Sequence, residues 1–433
     1  MPMKIVLVKP YFPYPYSRGE YTYNRIWPPL CLANCASLLE KEGHSVKILD
    51  AHAQRIIPKK VANYIKDYDK IFITSSSLDK WQCPNIDIST FLETTRYIQE
   101  LTCEFYIMGY HGTVAPEKIL NLTKAKALIR GEPESTILEI CRGIALSKIK
   151  GISFFEGDKI ISNAPREPLE LRTLPVPAFG LLNFKDYFYE ILGNRFSLFE
   201  ISRGCYFRCK FCNRLMYGNN VRSKSTEQIC EELTIAIEKY NVKTGYFIDL
   251  DFLSNKEIVT GLCDFLIKKN YRLKWTCQTR PDFLNRQILD LIRRAGCQLI
   301  HMGIETGSQV LLDRINKNIS IEGIRKAVQL CRMHGIETLA FFIFGLSGET
   351  QCEREETLRF AKTLNTNFAS FHRLIAYKSD SLDIMHEFNK DEVDSFIRKA
   401  FLQYYLRIPY LLTLSPRFLY RNIGLFWGRM HTL

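Results

Sequence analysis

The chain has 433 residues, 46% hydrophobic and 24% charged, an ordinary globular mix with material for two or three domains. Lys and Arg exceed Asp and Glu by 59 to 46, a net charge of +13. An excess of that size serves solubility and also suits an anionic cofactor, nucleic acid or an anionic membrane surface. The opening MPMKIVLVKPYFPYP has an apolar run too short for a secretory leader, broken by Lys9 and Pro10. No uninterrupted apolar stretch of roughly 18 residues predicts a spanning helix, so a cytoplasmic protein is expected. In that compartment the fourteen cysteines are not a disulfide framework. Three have a metal-site spacing, and the other eleven, singly placed in apolar patterns, are expected as small core residues.

Strands alternate with helices from the start. KIVLVKP (Lys4–Pro10), SVKILDA (Ser45–Ala51), KIFITSSS (Lys70–Ser77), EFYIMGY (Glu104–Tyr110) and AKALI read as strands, with helical segments between them. The first of these helices, PPLCLANCASLLEKEG, has Pro at its start and Gly at its end. This alternation predicts a doubly wound, Rossmann-like parallel sheet over residues 1–145, with ligands at the carboxyl ends of its strands. Those ends are rich in Ser75, Ser76, Ser77, Gly109, Gly112, Gly131 and Glu132. Residues 146–190 read as a connector, with a hairpin turning at EGDK and a Pro-containing linker.

A second alternating run begins near Arg195. Its strands, FSLFEIS, TGYFIDLDF, LKWTCQTR, QLIHMGIET, ETLAFFIFGL and ASFHRLIAY, predict a partial (β/α)6 barrel over 191–380. Chemistry in barrels sits at the strand C-termini. Residues 381–433 read as a helical, basic segment; Arg398–Leu433 contains six Lys or Arg and no Asp or Glu. It suits a helix packed on the barrel, or a membrane-surface contact.

The loop after the first barrel strand reads RGCYFRCKFCN, placing Cys205, Cys209 and Cys212 in a C-x3-C-x2-C spacing. Three thiolates suit zinc or an iron–sulfur cluster. A structural zinc site is ordinarily closed by four ligands, and no fourth ligand stands nearby in the sequence. A [4Fe–4S] cluster also takes four. Three cysteines would leave one iron open, which accounts for both the number and the gap.

At these residues the sequence resembles the radical S-adenosylmethionine (SAM) superfamily, whose cysteine loop holds a [4Fe–4S] cluster with SAM on the open iron. The resemblance makes Cys205, Cys209 and Cys212 the cluster ligands and places Phe211 near the adenine. YFIDLDFLSN resembles the second barrel strand of the family, with Asp249 and Asp251 at its end and without the usual Gly-Glu-Glu. CQTRPDFL ends a strand at Arg280, IHMGIETGSQ resembles the family segment GIESGS, and FFIFGLSGET resembles its glycine motif. Asp251, Arg280, Glu305, Ser308 and Gly345 are thereby implied as SAM contacts, with Gly348 and Glu349 completing the last motif.

The front half resembles the cobalamin-binding domain of one radical SAM subfamily, through IMGYHGTVAPEKIL, IRGEPESTILEI and PPLCLANCASLLEKEGHSVKILDA. That resemblance implies cobalamin contacts from Ser75, Ser76, Gly109, His111, Gly112, Gly131 and Glu132. Tyr110 replaces a family glycine, narrowing the expected loop. The D-x-H-x-x-G signature is imperfect: in DAHAQR, Arg55 replaces the glycine after Asp50 and His52, which reads as coincidence.

The resemblance implies a cobalamin-dependent C-methyltransferase, fed by a flavodoxin- or ferredoxin-like electron donor and acting on a small molecule, with no nucleic acid. The apolar, basic C-terminal segment points to a hydrophobic substrate, with peptide, antibiotic-precursor and pterin-like substrates as alternatives. A radical cyclase or rearrangement enzyme of the same architecture, and a non-catalytic iron–sulfur or cobalamin sensor, are the alternatives. DKWQCPN (Asp79–Asn85) is a candidate border of the site, with Trp81 as a core residue the simpler reading.

Overall fold

The computed structural model describes residues 2–13, 25–76, 87–101, 103–213, 215–377, 384–385 and 388–411. Ser77, Trp81 and the basic stretch beyond residue 411 lie outside them.

The first sheet grows from short, almost wholly apolar runs. Strands β1 (Lys4–Lys9), β2 (Ser45–Asp50), β3 (Lys70–Thr74), β4 (Glu104–Met108) and β5 (Ala127–Ile129) are parallel, in spatial order 2-1-3-4-5. Ile5 to Val8 and Ile71 to Ile73 are fully buried, as expected of strands covered on both faces. Helices α1 (Leu30–Lys41), α2 (Pro58–Ile65), α3 (Ser89–Gln99), α4 (Tyr110–Val114), α5 (Pro116–Thr123) and α6 (Glu134–Cys141) connect or follow these strands. The EGDK hairpin, read from sequence as part of the connector, forms β6 (Ile152–Glu156) and β7 (Lys159–Ser162). It pairs antiparallel onto β5, because β5 would otherwise leave an apolar strand edge unpaired, and so completes a seven-stranded sheet.

A short ladder of β8 (Phe188–Tyr189) and β9 (Gly193–Asn194) precedes the second sheet. Its six parallel strands follow chain order: β10 (Phe196–Phe199), then β13 (Thr244–Phe247), β14 (Lys274–Thr279), β15 (Cys297–Glu305), β16 (Glu337–Phe344) and β17 (Phe368–Arg373). Between β10 and β13, β11 (Ser202–Arg203) and β12 (Arg222–Ser223) form a two-residue antiparallel clasp. The helices are α7 (Thr226–Thr234), α8 (Lys256–Lys268), α9 (Arg286–Arg294), α10 (Gln309–Arg314), α11 (Ile321–Met333) and α12 (Gln351–Leu364), followed by α13 (Lys390–Tyr405). Ser225 with Gln228 and Thr350 with Glu353 form capping boxes that fix where α7 and α12 begin, just beyond the preceding strand-end loops. One continuous core joins α1 of the first sheet to the barrel through Trp27, Phe179, Tyr187 and Tyr189.

Among the described residues, seven of the cysteines outside the loop are buried, as expected, but Cys103 and Cys230 are half-buried and Cys352 is exposed. Cys352 falls in the solvent-facing first turn of α12, which its capping box holds at the surface. Among the described residues, no helix is long and apolar enough to cross a membrane.

Candidate active site at the barrel mouth

The β11–β12 clasp sets the root of the cysteine loop. Gly204 has φ +96°, and a Cβ there would stand 2.0 Å from the carbonyl oxygen of Asn220. Only glycine lets the chain turn there beside its return strand. From that turn, Cys205, Cys209 and Cys212 sit half-buried and free of disulfides, with the Cys212 N–H donating to the Cys209 carbonyl at 3.2 Å. Burial raises the Cys205 thiol above its ordinary pKa. Among the described residues no three Cys, His, Asp or Glu side chains converge as a single metal ion requires.

Strand ends of the barrel surround this loop. Arg280, after β14, stacks its guanidinium 3.6 Å from the Phe207 ring centroid, donates to Asp282, and reaches the Asn318 carbonyl at 3.2 Å. Asp251, after β13, accepts from Thr279 Oγ1 at 2.6 Å while its Oδ2 has no partner; burial pushes its pKa up to about 6. Asp249 instead accepts from Ser202 N at 2.5 Å, Ser202 Oγ at 2.6 Å and Ile201 N at 3.3 Å. It therefore fastens the end of β10, and burial raises it to about 7.

Glu305 ends β15 at φ +70°, a strained position for a non-glycine residue, and its carboxylate lies 2.7 Å from Lys317 Nζ. Burial works against the charge of Lys317, yet Glu305 and Cys209 more than offset it and hold its pKa high. Lys317 Nζ also lies 5.6 Å from the Phe211 ring centroid. Phe211 packs against Leu311, Ile315 and Leu346. Ser308 is the N-cap of α10, its Oγ accepting from Leu311 N at 3.5 Å, so its hydroxyl already serves the helix. Gly345 donates its N–H to Glu349 at 2.6 Å and lies under Phe388, where a Cβ would come within 2.4 Å of the ring. Glu349 Oε1 and Arg280 Nη1 are buried without partners.

The first sheet presents its strand ends to the same region. Gly109, at φ +105°, has no room for a Cβ, which would lie 2.9 Å from both Ser75 Oγ and Thr74 Oγ1. Ser75 Oγ accepts from His111 N at 3.2 Å and faces His111 Nδ1 at 3.3 Å; Ser76 Oγ is buried without a partner. Gly112 abuts Leu128, and Gly131 N donates to Thr113 Oγ1 at 2.9 Å. Glu132 pairs with Arg203 and Arg222, both at 2.9 Å, and accepts from Leu169 N, so its carboxylate is engaged by protein. Tyr110 does not merely narrow the loop: its hydroxyl accepts a hydrogen bond from Asn213, the residue after Cys212. Asp50 is held by Lys9, Tyr187 and Ala53, and His52 accepts from Phe12 N, so both serve the structure.

A small, partly open pocket lies between the two halves, lined by Cys31, Met108, Gly109, Glu132, Pro133, Met216 and Tyr217. Met216 and Tyr217 follow the third loop cysteine closely, so the pocket borders both the segment after the cysteine loop and the carboxyl edge of the first sheet. Sequence reasoning assigns no role at the site to Lys317, Arg203, Cys31, Met216 or Tyr217. Lys317 stands between two asparagines in a polar stretch that reads as surface, and only the fold turns it inward.

A cysteine loop thus stands at the mouth of a six-stranded parallel half-barrel, with unpartnered buried polar atoms around it. Residues 199–361 match the family model described as the Radical SAM superfamily. The chain is 29% identical over 444 residues to the uncharacterized methyltransferase PH0819 of Pyrococcus horikoshii, covering 95% of this chain and 94% of that one. It is 27% identical over 376 residues to the anaerobic magnesium-protoporphyrin IX monomethyl ester cyclase of Cereibacter sphaeroides, covering 83% of this chain and 60% of the cyclase. Among solved structures it resembles the radical SAM methyltransferase TsrM of Kitasatospora setae, determined with cobalamin and a [4Fe-4S] cluster bound. The TM-score is 0.69 at 17% identity, over 87% of this chain and 73% of that one.

Proposed function

We propose that the chain is a cobalamin-dependent radical SAM enzyme that methylates a carbon atom of a small molecule. The observation that carries this reading is the shared pocket, where the segment after three half-buried cysteines meets the carboxyl edge of a Rossmann-like sheet. The residues fit the groups they would hold. Three thiols match a cluster with one iron left for a ligand. The unpartnered atoms of Asp251, Arg280 and Glu349 suit a zwitterionic nucleotide, and the Gly109 cradle with the unpartnered Ser76 hydroxyl suits a large amide-bearing cofactor.

When bound, the cluster supplies the electron that splits SAM, and cobalamin supplies the methyl group. Cys205, Cys209 and Cys212 hold the first, Ser76, Gly109 and His111 border the second, and Lys317 presents a cation for a carboxylate of SAM. Phe207, Phe211 and Phe388 wall the mouth against water, which protects a reactive radical from quenching. The electron comes from a flavodoxin- or ferredoxin-like donor.

Anaerobic reconstitution with iron, sulfide and cobalamin, followed by SAM and reductant, tests the reading. 5′-Deoxyadenosine is expected, with a product heavier by about one methylene. An intact cluster that yields no 5′-deoxyadenosine would refute it in favour of a sensor. The likeness to the anaerobic cyclase favours a second reading, radical ring closure, in which 5′-deoxyadenosine forms but the product gains no methylene.

A further inference from the structure

The cysteine loop has a patterned outer face. Cys205, Phe207, Cys209 and Phe211 are half-buried, while the residues between them, Tyr206, Arg208 and Lys210, are exposed. Tyr206 is 62% accessible. Exposed side chains thus alternate with the half-buried cysteines and phenylalanines along the loop.

Charge sharpens the pattern. Residues 202–226 contain Arg203, Arg208, Lys210, Arg214, Arg222 and Lys224 and no acidic residue. The buried cations among them are neutralised at home: Arg203 by Glu132, Glu134 and Glu200, Arg222 by Glu132, and Lys224 by Glu232. Among the described residues, no ion pair involves Arg208 or Lys210. The backbone beneath them is braced: Lys210 N donates to the Ile315 carbonyl at 2.9 Å, and Asn316 Nδ2 donates to the Arg208 carbonyl at 3.0 Å. The face is therefore a braced platform of one aromatic ring and two uncompensated cations, on residues next in sequence to Cys205 and Cys209.

We propose that Tyr206, Arg208 and Lys210 form the docking face for a small acidic one-electron carrier protein. This rests on the function proposed above. Acidic side chains around the carrier's redox group would meet Arg208 and Lys210, and Tyr206 would supply the desolvated contact at the centre. In the step served, one electron leaves the reduced carrier and enters the thiolate-held cluster; the carrier is oxidised by one electron, and no atom or proton need transfer. A nucleic-acid role fits less well, since the face spans only five residues and its two cations flank Cys209 rather than forming an extended track.

The test is the double variant Arg208→Glu/Lys210→Glu in the reconstituted full chain, probed with flavodoxin. Titration of flavodoxin at low ionic strength should show affinity reduced about tenfold or more. Wild-type affinity should fall steeply with added salt, and that of the variant should not. Iron content and dithionite-driven SAM cleavage should match the wild type, because a small chemical reductant needs no docking face. Unchanged flavodoxin affinity and salt dependence in the variant would overturn the proposal, as would wild-type protein that binds RNA at this face but not flavodoxin. Wild-type protein that cleaves no SAM even with dithionite would instead refute the function, while the binding titration still decides the docking face.

Discussion

Arg203 places its guanidinium 2.7 Å from the Glu134 carboxylate, with both side chains wholly buried, and so ties the first sheet to the root of the cysteine loop. The same guanidinium meets Glu132 at 2.9 Å and Glu200 at 3.0 Å. Removing one member of a buried ionic cluster strands the others without compensation. Arg203→Met should therefore destabilise the chain by about 3–5 kcal/mol, seen as a lowered melting temperature. Adding Glu134→Gln to Arg203→Met should recover part of that loss. A double variant no more stable than Arg203→Met would show that the two side chains are not coupled.

The Lys317–Glu305 pair is a second buried ion pair, but it sits at the proposed SAM site. Lys317→Met leaves Glu305 buried and unpaired, and should lower both stability and SAM affinity, the latter by about tenfold or more, equivalent to about 1.4 kcal/mol. Lys317→Met combined with Glu305→Gln should restore stability without restoring SAM binding. Equilibrium SAM binding to the reconstituted variants, read beside their melting curves, separates the two effects. Full SAM affinity in Lys317→Met would exclude Lys317 from the site.

These two pairs show where sequence reading stops. The β/α alternation, both sheets and the cysteine loop are legible because strand periodicity, helix caps and cysteine spacing are local signals. Asp251, Arg280, Glu305 and the three cysteines do gather at the barrel mouth. Ser308 and Asp249 stand at strand ends as the sequence suggests, yet their side chains serve the backbone. A serine before a helix and an aspartate after a strand satisfy N–H groups as readily as they meet a ligand, and here they cap. Glu132 reads from sequence as a cofactor contact, but its carboxylate is taken by Arg203 and Arg222, which lie 71 and 90 residues away. No local pattern carries such a pairing. Lys317 escapes sequence reading because burial of a lysine depends on a carboxylate that the fold delivers from another element.

Gly204 offers a test of the loop's geometry. Its positive φ disfavours any side chain by about 1–2 kcal/mol, and the Asn220 carbonyl leaves no space for a Cβ. Gly204→Ala should force β11 and β12 apart and displace Cys205, lowering the iron retained after reconstitution well below that of the wild type. The rest of the barrel does not depend on this clasp, so far-ultraviolet circular dichroism should change little. Full iron content in Gly204→Ala would mean that the loop tolerates a shifted root.

His301 carries the clearest pH dependence. It is fully buried in the barrel, with Nε2 3.1 Å from Tyr189 Oη and Nδ1 3.1 Å from Tyr246 Oη. Burial, reinforced by Arg25, holds its pKa down to about 3 against an ordinary 6.5. The folded chain thus keeps His301 neutral while the unfolded chain takes up a proton below 6.5. The stability it contributes is present above pH 6.5 and is lost as the pH falls from there towards 3, at about 1.4 kcal/mol per pH unit at the steepest. Asp249 and Glu349, each raised to about 7 by burial, act in the opposite sense, since protonating them favours the folded state as the pH falls from 7 towards 4. The wild-type profile therefore mixes opposed slopes. His301→Gln keeps hydrogen-bonding capacity for the two tyrosines and cannot titrate, so it isolates one contribution. Urea midpoints measured between pH 4.5 and 7.5 should converge towards acid: the variant starts less stable at neutral pH and loses less stability than the wild type on acidification. Parallel profiles would show that His301 takes up a proton in the folded chain as readily as in the unfolded one.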